Sequence, residues 1–312
     1  LLKMFDVVTI GSATADIFLS STDLSENRRF LSIKKSSKNE ISRSLISSGG
    51  GATNSAVTFS RLGFKSAVVA QMGTDPLSAY VIADLKKEKV STSLIKSTPK
   101  HPTDFSIILV GQDGSRSILT QRGSIRLESR DIPWSKIKKC RWLYLTSLEG
   151  NLSLLEQLIG FAKENNISIS FNPGNRELSQ RRQLLPLLKH LDFLLLNRYE
   201  AEILSDRSHK EATFYPTLQQ CAPLVAVTNG RHGAKILTPD NSYFMSIINH
   251  HPLDETGAGD AFGSAFVAAL LSDQSITQAL NWASQNSASV VGHFGAKEGI
   301  LTLKEMKHAS KT

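Results

Sequence analysis

Cysteine is scarce in this sequence, and long apolar runs are absent. The 312 residues include two cysteines, Cys140 and Cys221, with no CxxC or Cys/His cluster. The sequence therefore supports neither a disulfide framework nor a zinc site, and both cysteines are expected to be small buried side chains. No apolar run approaches the length of a membrane span, and the start is too short and too soon charged for a secretory signal. We expect a cytoplasmic protein with no membrane partner.

Two familiar phosphate-binding patterns are missing as well. The P-loop pattern, GxxxxGK followed by Ser or Thr, does not occur, which excludes P-loop chemistry. No GxGxxG follows the first strand-like segment, which weakens the hypothesis of a dinucleotide-binding fold.

Acidic residues are outnumbered by basic ones, and the formal net charge is +8. The basic clusters at 135–141 and 175–182 are short and lack interleaved aromatic residues, so they resemble no RNA- or DNA-binding module. We interpret them as solvated basic faces, although a positive field also suits a small polyanionic substrate. No nucleic-acid partner is expected.

The sequence does contain an alternation of strand-like and helix-like segments. Short apolar segments predict strands at 5–11, 66–73, 105–111, 142–147, 167–172, 192–197, 223–230 and 233–238. Amphipathic segments predict helices at 53–63, from Pro76 onward and at 151–166. The alternation predicts an α/β fold on a mostly parallel sheet, with residues 1–312 in one domain. Two polar segments, about 12–47 and 100–123, interrupt it and predict loops or a small β-ribbon that projects from the sheet.

The most informative stretch is Thr256-Gly257-Ala258-Gly259-Asp260, which leads into a small, apolar, helix-like segment. Glycines before a helix let backbone N–H groups converge, and the helix N-terminus adds a partial positive charge there. An acid in the first turn can take a proton from an attacking hydroxyl. Phosphoryl transfer needs both features. The alternative is a glycine turn in which Asp260 is an ordinary first-turn acid.

A second glycine cluster, Gly49-Gly50-Gly51, leads into the predicted helix at 53–63. Consecutive glycines permit close approach of the backbone to a ligand. Asn54 offers a donor and an acceptor for substrate hydroxyls, or else it caps the helix.

Together these stretches resemble the ribokinase-like sugar kinase family, also called the PfkB family. The resemblance is carried, in chain order, by GGGATNSAVTFSRLG, LLLNRYEAEIL, VTNGRHGA and DETGAGDAF, and it covers nearly the whole chain. It implies a ribokinase-like three-layer α/β sandwich with a mostly parallel central sheet. It also implies that the two polar segments form a small β-sheet lid over the sugar, and that the chain is an ATP-dependent kinase.

The resemblance implies a role for each matching residue. Asp260 is implied as the catalytic base, with an anion hole at Gly257, Ala258 and Gly259. Asn197 and Glu200 are implied to hold Mg²⁺ and its waters near the ATP phosphates. The implied nucleotide-binding residues are Thr228, Gly230, Gly233 and Ser284. The implied ligands of the acceptor hydroxyls are Asp16, Gly49, Gly50, Asn54 and Glu149.

A K⁺ site beside the anion hole and a homodimer through the lid are also implied by the resemblance. The K⁺ ligands would come from two loops, at Asp254, Thr256, Val290, His293 and Gly295. The alternative is that Asp254 only caps its turn.

The sequence does not distinguish a sugar from a nucleoside as the acceptor. Phe18, Phe30 and Phe105 lie in the lid segments, where they either line a slot for a base or pack the lid. Gly51 replaces the Lys usual in ribokinases, and Ser284 stands where many members have Asn or His. A non-catalytic regulator that binds sugar or nucleotide is a further alternative, but an intact Asp260 argues against it.

Asp104 bears on the charge of the acceptor. Members of the family that act on phosphosugars tend to carry Arg at this position, because a buried phosphate needs a charge partner. Asp104, together with the missing Lys at Gly51, predicts an acceptor that is not already phosphorylated. Arg116 and Arg122, in a lid segment, are the basic residues that oppose this prediction.

Overall fold

The structure is a computed structural model that describes residues 4–27, 30–112, 116–121, 126–248 and 253–310. The strands within these ranges are β1 (Val7–Ile10), β2 (Thr14–Ser20), β3 (Ser25–Glu26), β4 (Leu31–Ser32), β5 (Arg43–Gly49), β6 (Ser66–Val69), β7 (Gln71–Met72), β8 (Lys96–Ser97), β9 (Phe105–Val110), β10 (Arg116–Gln121), β11 (Trp142–Leu145), β12 (Ser168–Phe171), β13 (Phe193–Asn197), β14 (Val225–Thr228), β15 (Ala234–Leu237) and β16 (Ser242–Met245). The helices are α1 (Gly51–Arg61), α2 (Pro76–Lys87), α3 (Trp134–Ile137), α4 (Leu152–Glu164), α5 (Asn175–Leu178), α6 (Arg181–Leu188), α7 (Arg198–Ser205), α8 (Phe214–Gln219), α9 (Ala258–Leu271), α10 (Ile276–Val291) and α11 (Leu303–Ala309).

A large sheet forms the centre of the molecule, in the order β16-β15-β14-β13-β12-β11-β1-β6. The strands from β14 to β6 pair in parallel, and β15 and β16 add an antiparallel edge. Every residue of β1 and β11 is buried, as expected for parallel strands with helices on both faces. The predicted, mostly parallel sheet is confirmed, and seven of the eight predicted strand segments lie in it. The eighth, 105–111, forms β9 in a separate sheet.

Apolar cores lie on both faces of the large sheet. One contains side chains of α4, α6 and α7, and the other contains side chains of α1, α9 and α10. Phe193 of β13 stacks on Phe266 of α9 with ring centroids 4.8 Å apart, a geometry that contributes about 0.5–1.5 kcal/mol. Gly263 lets α9 approach the sheet, since a Cβ there would lie 2.3 Å from the Tyr144 hydroxyl and 2.5 Å from Leu195. These contacts fix the first turn of α9 relative to the sheet.

The two polar segments supply the small sheet, in the order β10-β9-β2-β5. Phe18 of β2 is fully buried and meets Phe294 edge to face, with centroids 5.9 Å apart. Phe18 therefore packs the small sheet and does not line a slot for a base. Phe30 is 65% exposed and Phe105 is half-buried. Arg122 lies outside the described residues.

Cys140 and Cys221 are both buried, and neither forms a disulfide, which confirms the prediction for them. Within the described ranges, the structure contains no helix long and apolar enough to cross a membrane.

Candidate active site

The predicted anion site lies at the start of α9. The helix begins at Ala258, and Gly257 precedes it in the left-handed conformation, with φ 78°. A Cβ at Gly257 would lie 2.5 Å from the Ala296 carbonyl oxygen, so both the conformation and the space there require glycine. The first N–H groups of a helix have no intrahelical partner, and the helix dipole favours negative charge beside them. The turn at Gly257, Ala258 and Gly259 can therefore bind an anion.

Asp260 joins the two glycine motifs. The amide nitrogen of Asn54, on α1, donates a 2.9 Å hydrogen bond to Asp260 Oδ2, on α9. The two residues are 206 positions apart in the sequence, and the bond brings the glycine clusters to one place. Asn54 is 4% exposed, and within the described ranges its Oδ1 is a buried acceptor with no hydrogen-bond partner. A substrate hydroxyl that donates to this oxygen would lie beside Asp260.

Three carboxyl groups near the anion turn, Asp260, Glu200 and Asp16, have raised pKa values, and burial is the largest cause in each. Burial raises the pKa of Asp260 to about 6, the hydrogen bond from Asn54 opposes that shift, and the charge of Asp16 adds to it. Burial also raises the pKa of Glu200 to about 7, and the charge of Asp260 contributes to the increase. The pKa of Asp16 is raised, first by burial, although bonds from Thr14 and Ser106 act against the shift. Perturbed carboxyl groups of this kind are typical of catalytic and cation-binding sites.

Asp16 and Gly49 lie against each other where β2 pairs with β5. Asp16 is 6% exposed and accepts a 2.8 Å hydrogen bond from the Thr14 hydroxyl. A Cβ at Gly49 would fall 1.9 Å from Asp16 Oδ2, so only glycine leaves the carboxyl group its position. Further along, the Gly51 amide lies 3.3 Å from the Ser12 hydroxyl, which sets Gly50 and the start of α1 beside the end of β1.

Glu149 follows β11 and lines a cleft with Ser12, Asp104 and Ser147, among others. Its backbone is left-handed, with φ 56°, and its carboxylate lies 3.1 Å from the Arg176 guanidinium. Glu177 shapes this turn, and no motif in the sequence pointed to it. That buried carboxylate accepts hydrogen bonds from the amides of Leu148 (2.8 Å), Gly150 (2.7 Å) and Gly174 (2.8 Å).

The predicted nucleotide and magnesium residues lie at the carboxyl ends of neighbouring parallel strands, the usual edge for ligands in such sheets. Asn197 at the end of β13 is paired in register with Thr228 at the end of β14. The Asn197 side chain accepts from the Glu200 amide at 3.0 Å, and Glu200 accepts from the Asn197 amide at 2.8 Å. This capping box holds the Glu200 carboxyl group at the start of α7.

The other predicted nucleotide residues lie on two further elements. Gly230 begins a short 3₁₀ turn after β14, and Gly233 ends it before β15. Ser284 lies on α10, one turn before Ser287, whose hydroxyl donates to the Ala258 carbonyl oxygen at 3.1 Å. The α10 helix therefore reaches the anion turn.

The two loops predicted to hold K⁺ are adjacent. The Leu253 and Asp254 amides both donate to the Val291 carbonyl oxygen, at 2.7 Å and 3.2 Å. Asp254 is fully buried, and its carboxylate accepts from the Thr256 amide and hydroxyl and from the Gly295 amide. The Val290 carbonyl oxygen accepts from the His293 amide at 3.0 Å. Asp254 thus links the two loops as well as capping its own turn.

The comparisons with known proteins agree with this geometry. Residues 4–303 match the family model described as pfkB family carbohydrate kinase. Over 309 residues, the chain is 24% identical to a ribokinase from Staphylococcus aureus, covering 96% of this chain and 98% of that protein. It is 27% identical over 253 residues to an ATP-dependent ribose-1-phosphate kinase from Halopiger xanaduensis, covering 80% of this chain and 82% of the other.

Solved structures share the fold. An adenosine kinase from Sinorhizobium meliloti superposes with a TM-score of 0.84 at 20% identity, covering 98% of this chain and 99% of the other. A ribokinase from Arabidopsis thaliana, complexed with ribose and ATP, gives 0.80 at 20% identity and 99% coverage of both chains. A putative ribokinase II from E. coli, in complex with ATP and Mg²⁺, gives 0.83 at 21% identity, covering 98% of this chain and 99% of the other.

The fold and the site define a phosphotransferase of the ribokinase-like fold. The chain belongs to the pfkB family of carbohydrate kinases. It is a kinase whose acceptor group is an alcohol.

Proposed function

We propose that this kinase transfers the γ-phosphoryl group of ATP to a primary hydroxyl of an unphosphorylated sugar. The observation that carries the proposal is the hydrogen bond from Asn54 to Asp260, because it sets a proton acceptor beside the anion turn at Gly257. A base and an anion site at one point are what phosphoryl transfer to an alcohol requires.

In this proposal Asp260 accepts the proton of the acceptor hydroxyl as its oxygen attacks the γ-phosphorus and the bond to ADP breaks. With a pKa of about 6, Asp260 is ionised at neutral pH and yet more basic than an ordinary aspartate. The N–H groups at Gly257, Ala258 and Gly259 stabilise the charge of the transferred group. Asp16, Gly49, Gly50, Asn54 and Glu149 bind the remaining hydroxyls of the acceptor.

Magnesium and ATP fit the residues at the sheet edge. Burial and, to a smaller extent, the charge of Asp260 raise the pKa of Glu200, and a divalent cation held near Glu200 would stabilise its ionised form. Asn197 and Glu200 would hold Mg²⁺ through its waters, and the ion supplies charge neutralisation on the phosphates. Thr228, Gly230, Gly233 and Ser284 would line the nucleotide. The small sheet would act as a lid that excludes water, so that the alcohol receives the phosphoryl group.

The test is an ADP-release assay with Mg-ATP and a panel of free sugars, nucleosides and phosphosugars. We expect turnover with an unphosphorylated acceptor, because two acidic residues, Asp104 and Glu149, line the cleft and only one basic residue, Arg126, lies among the described lining residues. Nucleosides form the second candidate class, supported by the adenosine kinase neighbour. Faster turnover of fructose 6-phosphate or ribose 1-phosphate than of any free acceptor would overturn the acceptor class. No turnover at all, with ligand binding intact, would favour a binding regulator.

We also propose that K⁺ activates the enzyme. The hydrogen bonds to the buried Asp254 carboxylate come from neutral donors, and the loop carrying Val290, His293 and Gly295 lies beside it. A cation bound there would brace the anion turn, so initial rates should be higher in K⁺ than in Na⁺ or a bulky organic cation at equal ionic strength. Asp254→Ala should remove the difference between salts. Equal rates of the wild-type enzyme in all three salts would contradict the proposal.

The outer face of the small sheet is a further candidate surface. Ile46 and Leu119 are 43% and 60% exposed there, and Ile17 and Ile107 are half-buried beside them. We expect a homodimer through this face, which light scattering would reveal as twice the chain mass. Ile46→Lys with Leu119→Lys should yield the monomer; a wild-type monomer at all concentrations would exclude the dimer.

The cytoplasmic location stays a prediction.

A further inference from the structure

A buried lysine that the proposed mechanism does not use lies between the small sheet and the anion turn. Lys297 is 3% exposed, and its ammonium group donates to the Ser48 carbonyl oxygen, to the Ser48 hydroxyl and, at 3.0 Å, to Asp84. Asp84 also accepts from the Ser48 amide at 2.9 Å and from its hydroxyl at 2.7 Å. A buried ammonium group needs an acceptor for each of its three N–H groups, so these contacts determine where the Lys297 side chain lies. We call these three residues the Lys297 cluster.

The cluster joins three parts of the fold. Ser48 belongs to β5, Asp84 to α2, and Lys297 to the segment 292–300 that follows α10. Ser48 directly precedes Gly49, which lies against the Asp16 carboxyl group. The Lys297 ammonium is therefore bound to the end of the small sheet that carries the proposed acceptor ligands, and its charge acts on Asp16.

The same segment is bound to the anion turn at its other end. The Gly295 amide donates to Asp254 at 3.0 Å. The Ala296 carbonyl oxygen lies so close to Gly257 that a Cβ added there would be only 2.5 Å from it. Arg61 of α1 donates to the carbonyl oxygens of Lys297 and Ile300, both at 2.9 Å. The position of this segment thus sets the space available to the turn at Gly257.

Apolar contacts follow the same path. Phe294 packs against Phe18 of β2, and the Arg43 guanidinium of β5 lies 4.4 Å from the centre of the Phe294 ring. The small sheet therefore contacts the segment 292–300 through a polar contact at Lys297 and through the ring of Phe294.

We propose that Lys297 is a positioning residue that keeps the acceptor end of the small sheet in register with the anion turn. The proposal rests on the proposed kinase function. In-line transfer requires the acceptor oxygen and the γ-phosphorus in contact, and a displacement of about 1 Å costs about a hundredfold in rate. Lys297 holds Ser48 and Gly49 at a defined distance from Ala296 and Gly257, although it contacts neither substrate itself. Its loss should therefore let the acceptor ligands move away from the anion turn.

Three variants test this. Lys297→Met removes the ammonium group. Lys297→Met with Asp84→Asn also removes the charge left behind, which keeps the fold intact where the single variant does not fold. Lys163→Met, at an exposed position of α4, removes the same charge elsewhere. In the folded cluster variants we expect the acceptor KM to rise and kcat to fall, each by about tenfold or more, while the Kd for an ATP analogue changes less than about twofold. The control should match the wild type.

Hydrogen exchange gives a readout that does not depend on activity. Peptides covering 43–51 and 292–300 should both exchange faster in the cluster variants, by about fivefold or more. In the control, both peptides should exchange at the wild-type rate. Unchanged exchange in either peptide, or kinetics within about twofold of the wild type in a folded cluster variant, would overturn the role of Lys297. If the wild-type protein showed no turnover, that result would count against the proposed kinase function only. Hydrogen exchange would still show whether Lys297 holds the two segments together.

Discussion

Asp260→Asn is expected to lower kcat by about 10²–10⁴-fold, the usual loss when a general base is removed. The amide keeps the shape of the side chain and can still accept the hydrogen bond from Asn54, but it cannot take the acceptor proton. ATP affinity should change little, because the nucleotide residues lie on other elements. Steady-state rates and calorimetric titration with an ATP analogue would measure the two effects. Near-normal turnover would refute the assignment of the base.

The stability of the same variant provides an internal check. Burial raises the pKa of Asp260 from 3.8 to about 6, so above about pH 6 the charged form destabilises the folded state. The variant should therefore unfold at an equal or higher temperature than the wild type near pH 8, and this advantage should vanish as the pH falls towards the unfolded-state value. Asp273→Asn makes the same change at an exposed left-handed position after α9, and should leave both activity and stability unchanged.

Gly257→Ala is expected to lower kcat by about 10²–10³-fold, as does the loss of one donor from an oxyanion hole. The added Cβ would be forced against the Ala296 carbonyl oxygen, and the left-handed backbone adds strain. To relieve the contact and the strain, the backbone would have to shift, and the N–H groups at the start of α9 would then point away from the transferred phosphoryl group. Stopped-flow or coupled-assay rates, with circular dichroism to verify folding, would measure the effect.

The matched control is Gly160→Ala. Gly160 lies within α4, where an added Cβ would meet no atom within 4 Å. That variant should keep full activity and gain about 0.5–1 kcal/mol of stability from the lower entropy of the unfolded chain. If Gly257→Ala behaved like Gly160→Ala, the glycine turn would not be the anion site.

The large sheet was predictable because local signals determine it. Apolar runs such as VVTI and WLYL, alternating with amphipathic segments, predict parallel strands covered by helices, and the structure confirms them. The glycine turn before Asp260 was predictable for the same reason, since its conformation depends on neighbouring residues.

Contacts between distant segments were not predictable from the residues alone. Lys297 and Glu177 look like ordinary surface charges in the sequence, because charged side chains are rarely buried without partners. The partners of Lys297 are Ser48 and Asp84, which are far from it in the sequence. The partners of Glu177 are backbone amides, those of Leu148, Gly150 and Gly174. The burial of Phe18 likewise depends on Phe294, which comes from the other end of the chain.

The pH dependence of kcat/KM for the acceptor tests the central claim, that Asp260 is the base, most directly. Because the pKa of Asp260 is about 6 and that of the interacting Glu200 is about 7, the pair should titrate together in this range. We expect kcat/KM to reach a plateau above this pH range and to fall by about tenfold per pH unit below it. In Asp260→Asn the inflection that belongs to Asp260 should be missing. A profile that stays flat down to about pH 5, or one that Asp260→Asn leaves unchanged, would show that Asp260 is not the base.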